Sequence, residues 1–194
     1  MGVYDRQETL KLKSDISITI AGCGGVGYWV AKYAAMSGIE KIFLFDPDVI
    51  EEHNLNRLDL PLSVTGRNKA EITKIMINQI RPEALVISMP FILQSHTFTK
   101  TDWLVDCTDK SKSQETNQEI AKKFGSRYLK AGYNGEHITV ADRVAEWGEA
   151  VDGYTIIPSW VVPASVVAAM AVAKIMKYDK MELSTDIKRM FRNE

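Results

Sequence analysis

Cysteine is scarce in this chain: Cys23 and Cys107 are the only two among 194 residues. Two thiols build no disulfide framework, form no Cys-x-x-Cys pair, and fit a reducing cytosol. The three histidines, His53, His96 and His137, lack metal-ligand spacing. An excess of one charge is lacking too. The 24 Lys and Arg against 25 Asp and Glu leave a net charge of −1, which gives no electrostatic footprint for nucleic acid or an anionic membrane. A long apolar run is also missing. Residues 156–173 carry no charge, yet Pro158 and Pro163 split them and Ser159 and Ser165 interrupt them. The stretch therefore reads as a buried core helix starting near Pro163, not as a membrane span. The N-terminus is polar through Asp15, without the apolar core of a signal peptide. These absences predict a cytoplasmic protein. The chain has no internal repeat and no low-complexity segment.

What is present is an ordinary globular composition, 45% hydrophobic and 25% charged, in a length that suits one domain. Strand-like and helix-like patterns alternate. Residues 16–21 read as a strand, 26–37 as a helix, 41–45 as a strand ending at Asp46, and 47–57 as a loop rich in Asn and charge. A helix over 68–80 follows, then strands over 84–88 and 103–106, a helix over 113–124 and a strand over 128–131. This alternation predicts an α/β fold, Rossmann-like and doubly wound, with a mainly parallel sheet. From His137 the pattern changes to apolar alternation (Ile138, Val140), predicting an antiparallel C-terminal extension before a helix over 163–176. A single domain over 1–194 is expected, with a nucleotide-binding part over 1–135 and the extension and last helix over 136–194. Residues 148–153 read as a flexible loop.

The chemistry starts at the end of the first strand. Ile16 to Ala21 runs straight into Gly22-x-Gly24-Gly25-x-Gly27 and then into helical periodicity, the strand–turn–helix context of a nucleotide-binding glycine turn. Such a turn lets the backbone approach a phosphate at a helix N-terminus. Ligands of a parallel sheet bind beyond the carboxyl ends of its strands, where Asp46, Asp48 and Asp109 are expected. Asp46 stands 19 residues beyond Gly27, the spacing of an acid that hydrogen-bonds a ribose. Alone, the turn and Asp46 fit NAD. Hydride transfer leaves unexplained the Asn54-Leu55-Asn56-Arg57 segment, Lys69 at a helix start, and Asp106-Cys107-Thr108-Asp109 after the fourth strand. A carboxylate beside a phosphate site makes sense when Mg²⁺ intervenes, and fixed cations suit a redistribution of phosphate charge.

In these pieces and their order, the chain resembles the ubiquitin-activating superfamily in its short bacterial ThiF/MoeB-type form. Tyr4-Asp5-Arg6-Gln7 also resembles that family's N-terminal motif. The resemblance implies an ATP- and Mg²⁺-dependent adenylyltransferase acting on the C-terminal carboxylate of a small ubiquitin-like or sulfur-carrier protein ending in Gly-Gly. It implies that Gly22, Gly24, Gly25 and Gly27 form the nucleotide turn and that Asp46, beside Asp48, holds the ribose. Asn54, Arg57 and Lys69 would contact the phosphates and Asp109 would coordinate Mg²⁺. Arg6 would enter the neighbouring subunit's site, so a homodimer is expected; nucleic acid and membrane are not expected partners. Each of these residues also has a plainer use: Lys69 or Arg57 as a solvated surface cation, Arg6 as part of a loose tail.

The chain departs from the family pattern in four ways. Leu58 stands where the family often carries glutamine, and Lys110 where an asparagine usually follows the metal-binding aspartate. The paired Cys-x-x-Cys motifs of a structural zinc are missing, so no zinc is expected. The segment 142–159 contains no cysteine, so the reaction should stop at the acyl-adenylate without an enzyme thioester. Cys23 and Cys107 read as packing residues. Alternative readings are activation of a small-molecule or tRNA-linked carboxylate, a catalytically silent nucleotide-binding subunit, and an NAD-dependent oxidoreductase.

Overall fold

The computed structural model describes residues 2–145 and 158–191. Seven strands form one sheet in the order β3-β2-β1-β4-β5-β6-β7. The strands are β1 (Ser17–Ala21), β2 (Lys41–Phe45), β3 (Leu85–Met89), β4 (Trp103–Asp106), β5 (Arg127–Asn134), β6 (His137–Ala141) and β7 (Leu183–Asp186). The first five run parallel, and β6 and β7 continue the sheet antiparallel. Four helices join them: α1 (Gly25–Met36), α2 (Lys69–Ile80), α3 (Ser111–Phe124) and α4 (Val161–Met176). The order turns back at β1, where β2 and β4 flank it, and the carboxyl ends of the strands at such a switch point are where sheets of this kind bind ligands.

The strands alternate faces. Ile18, Ile20, Ile42, Leu44, Val105 and Leu129 pack into the larger core with α1, α2 and α4; Phe45, Leu104 and Tyr128 join the smaller core with α3. Helix α4 is apolar nearly all round, which is why its sequence resembles a membrane span; α1 packs along it and helps bury one face. Among the described residues, no helix is long and apolar enough to cross a membrane.

The expected fold is the observed one, with shifted boundaries. Helix α4 begins at Val161, ahead of Pro163, since proline is tolerated in a first turn. Strand β5 runs on to Asn134 because it turns directly into β6 through Gly135, which adopts φ +60°. Strand β7 was not expected: its four residues carry one apolar side chain, too little for a strand signature. The loop expected over 148–153, and most of the segment examined for a thioester cysteine, lie outside the described residues.

Candidate functional site

At two of its glycines the turn is built by backbone contacts that tolerate no side chain. Gly22 takes φ +88°, and a methyl group on it would stand 3.1 Å from the Cys107 carbonyl. At Gly27 a methyl group would lie 1.8 Å from the Gly22 carbonyl oxygen, so the first helical turn closes directly onto the strand end. Gly25 is covered by Arg57, whose Cδ would be 2.8 Å from an added methyl. Gly24, the residue capping α1, has open space above it. Two of the four glycines thus serve the backbone, one makes room for a cation, and one faces an empty approach.

Asp46 forms the floor beside the turn. It is 4% exposed, accepts the Cys23 N–H at 2.6 Å on one oxygen and the Asp48 N–H at 2.8 Å on the other. Burial pushes its carboxyl above the ordinary aspartate value, against the pull of those two N–H groups. Asn68 caps α2 and also ties it to this loop: its amide donates to the Asp46 and Asp48 carbonyls, while its oxygen accepts the Glu71 N–H. Lys69, the first residue of α2, is therefore delivered to the same place. Its ammonium meets Asp48 at 3.1 Å, with the lysine largely buried and the acid exposed.

Arg57 lies over the start of α1 because its loop is held from two sides. The Trp29 indole N–H donates to the Arg57 carbonyl at 2.8 Å. Asp59, two residues on, accepts from Tyr28 and Lys32 of the same helix. The Arg57 guanidinium itself donates to the His53 carbonyl and the Asn56 side chain. Asn54 is buried, and its side-chain oxygen accepts the Glu51 N–H, closing the turn that launches this loop. Leu58, where the family pattern has glutamine, is buried and packs the loop down.

Asp109 sits in the loop between β4 and α3, exposed, with its carbonyl accepting from Gln114. Among the described residues no group of three or more His, Cys, Asp or Glu side chains gathers. A single carboxylate suits Mg²⁺ that takes its remaining ligands from phosphates and water. Beyond β2 and β3, an open cleft of about 500 Å³ is lined by Pro47, Phe91, Ile92, Gln94 and His96.

Arg6 is the one candidate the fold takes elsewhere. It lies exposed on the 3-10 helix Asp5–Leu10, whose neighbours Tyr4 and Gln7 donate to the Ala35 and Ser37 carbonyls at the far end of α1. Twelve helical residues span about 18 Å, so Arg6 is remote from its own glycine turn.

A buried charge was missed by sequence reasoning. Lys130 of β5 is 1% exposed and pairs in register with the fully buried Asp106 of β4. Removing one member of such a pair costs about 3–5 kcal/mol. Half of the signal was available, a lysine inside an otherwise apolar strand; its partner is set only by the pairing of β4 with β5.

A profile of the ThiF family matches residues 2–181, which covers the turn, the loop cations and the strands β1 to β6 together. The chain belongs to the ThiF family. At the level of sequence it resembles the tRNA threonylcarbamoyladenosine dehydratase of Bacillus subtilis, 31% identical over 53% of this chain and 43% of that protein. It is also 32% identical to the adenylyltransferase and sulfurtransferase UBA4 of Kluyveromyces lactis, over 63% of this chain and 28% of that one. The chain thus spans less than half the length of these ThiF-related proteins. The same fold appears in the crystal structure of E. coli MccB, with a TM-score of 0.78 at 19% identity over 96% of this chain and 70% of that one. A structure of MccB with ATP superposes with a TM-score of 0.76 at 20% identity, over 93% of this chain and 65% of that one.

Proposed function

We propose that this ThiF-family chain is an ATP-dependent adenylyltransferase that activates a carboxylate, the C-terminus of a small ubiquitin-like protein or peptide, as an acyl-adenylate. The observation that carries this reading is the Arg57 side chain lying on Gly25 at the N-terminus of α1, with Lys69 at the N-terminus of α2 beyond the Asp46 floor. Two helix N-termini and two cations converge on one crevice, as a reaction that redistributes phosphate charge requires and hydride transfer does not.

The roles follow from position. Gly24 is where a phosphate can approach the backbone, and Asp46 offers acceptors to ribose hydroxyls. The cleft at Pro47, Phe91 and Ile92 supplies an apolar bed for adenine. Substrate carboxylate attacks the α-phosphorus, the bond to the bridging oxygen of the β-phosphate breaks, and pyrophosphate leaves; no proton changes hands. Arg57 and Lys69 stabilise the charge that builds on the non-bridging oxygens and the departing group. Asn54 shapes the loop that brings Arg57 there. Asp109 would hold Mg²⁺, which supplies further positive charge to the phosphates. Arg6 serves a second copy of the chain in a homodimer, since its own site is out of reach.

Radioactive pyrophosphate exchange into ATP, dependent on a candidate small protein ending in Gly-Gly, tests this reading. Tight NAD binding with no ATP binding overturns it. ATP binding without exchange or AMP formation for any acceptor favours a silent subunit instead. A second reading, activation of a tRNA-linked carboxylate, is supported by the Bacillus subtilis relative. The net charge of −1 weighs against it.

A further inference from the structure

We infer that Lys130 is a positioning residue for Asp109: its buried ammonium fixes the loop between β4 and α3 from beneath. This rests on the adenylation reading, in which Asp109 faces the metal and the phosphates.

The clamp closes on Thr108, the residue before Asp109. Lys130 Nζ donates to the Thr108 carbonyl and, at 3.3 Å, to the Asp106 carbonyl. The Asp106 carboxylate accepts both the backbone N–H of Thr108 at 2.9 Å and its hydroxyl at 2.7 Å. Its second oxygen accepts the Tyr128 hydroxyl at 3.0 Å. Both polar groups of the Thr108 backbone are therefore held by one buried ion pair, whose Nζ to Oδ1 separation is 3.9 Å. Gln114 of α3 adds a donor to the Thr108 and Asp109 carbonyls from the other side.

An ammonium is a costly way to fill this space. Desolvating it and its partner opposes folding, and replacing the whole pair by apolar side chains of similar volume would avoid that cost. Its neighbours Leu129 and Ala131 on β5 are apolar and buried. Lys130 Nζ reaches carbonyls at the end of β4 and on the Asp109 loop. The charge therefore acts on the loop, and through it on where the Asp109 carboxylate stands relative to Gly22, against which the loop packs.

The test is a double-mutant cycle on ATP affinity, measured by calorimetry on the full chain with Mg²⁺ and again in EDTA. Lys130→Met is expected to weaken ATP binding about 10-fold with Mg²⁺, inside the coupling range of one hydrogen-bond network, and to leave binding in EDTA unchanged. Combined with Asp109→Ala it should add nothing further. Amide hydrogen exchange should quicken at Thr108 and Asp109 and stay unchanged in α1. Additive losses, or Mg²⁺-ATP affinity equal to the parent's with only a lowered melting temperature, overturn the proposal. Should Lys130→Met fail to fold, Tyr128→Phe, which removes one donor to Asp106, enters the same cycle. Failure of the parent chain to bind ATP at all would instead strike the adenylation reading.

Discussion

The Cys23 backbone N–H and the Asp46 carboxylate share a hydrogen bond of 2.6 Å, so the acid proposed for the ribose also locks the glycine turn. A buried carboxylate with both oxygens engaged by N–H groups has little freedom to move. The proposed ribose contact and the turn geometry thereby rest on one side chain.

The glycines should fail in different ways. Gly27→Ala drives a methyl into the Gly22 carbonyl at 1.8 Å, and the chain should lose its cooperative melting transition. Gly25→Ala presses on the flexible Arg57 side chain and should fold while losing activity with Arg57 displaced. Gly24→Ala enters open space at φ −76° and should melt like the parent, yet bind ATP more weakly because the methyl occupies the approach. Thermal melts and ATP titrations of the three variants decide this; equal behaviour would refute the assignment.

Asp46 should titrate above the ordinary aspartate pKa of about 3.9, since its burial disfavours the charge. With the folded value raised, proton uptake favours the folded state below the unfolded value, and this contribution is lost as pH rises through the folded one. Adenosine, which carries no titrating phosphate, should lower the midpoint, because a ribose hydroxyl donating to the carboxylate favours the ionised form. The carboxyl carbon followed by NMR with and without adenosine measures both effects. A midpoint that adenosine leaves in place contradicts ribose contact.

Neither thiol should react in the folded protein at pH 8. Burial, with the Asp46 charge beside it, holds Cys23 well above the usual thiol range, and burial pushes Cys107 up to about 12. Both should become reactive towards a disulfide reagent on unfolding. Rapid labelling of native Cys23 would reopen a nucleophilic role.

Arg57→Ala should lower adenylation about 100-fold or more, the usual cost of losing one preorganised charge contact. The melting temperature should change little, because the Trp29 bond reaches the Arg57 backbone and survives. Arg6→Ala should be equally impaired, while an equal mixture of the two inactive variants recovers about a quarter of parent activity, since half the dimers then carry one intact site of two. No recovery on mixing would mean that Arg6 does not act across subunits.

Much of the site was legible because its signals are local. The turn announces itself by strand, glycines and helix in sequence, and Asp46 by a fixed distance from Gly27. Lys69 was found because it stands at the start of a helical pattern, and the fold shows Asn68 capping that helix. What escaped depends on neighbours distant in the chain. Nothing near Lys130 says that Asp106 lies beside it, since parallel strands meet only after a helix crossover. Trp29 reads as one more aromatic of α1 until the fold sets it under the Arg57 carbonyl. Asn54 reads as a phosphate contact, and its sequence gives no sign that its oxygen also closes a turn. The Arg6 segment was legible as a motif, but its docking on Ala35 and Ser37 at the far end of α1 was not.

The bond between Lys69 and Asp48 has a kinetic meaning. A cation already neutralised by a neighbouring acid can embrace a phosphate only by letting that acid go, and it can let the phosphate go by taking the acid back. Arrival and departure of the charged ligand then become exchanges between two partners, neither of which leaves a bare ammonium behind. On the adenylation reading, such a lysine would give up some grip on ATP in return for quick turnover of pyrophosphate, and Asp48, standing exposed at the rim, would set that rhythm.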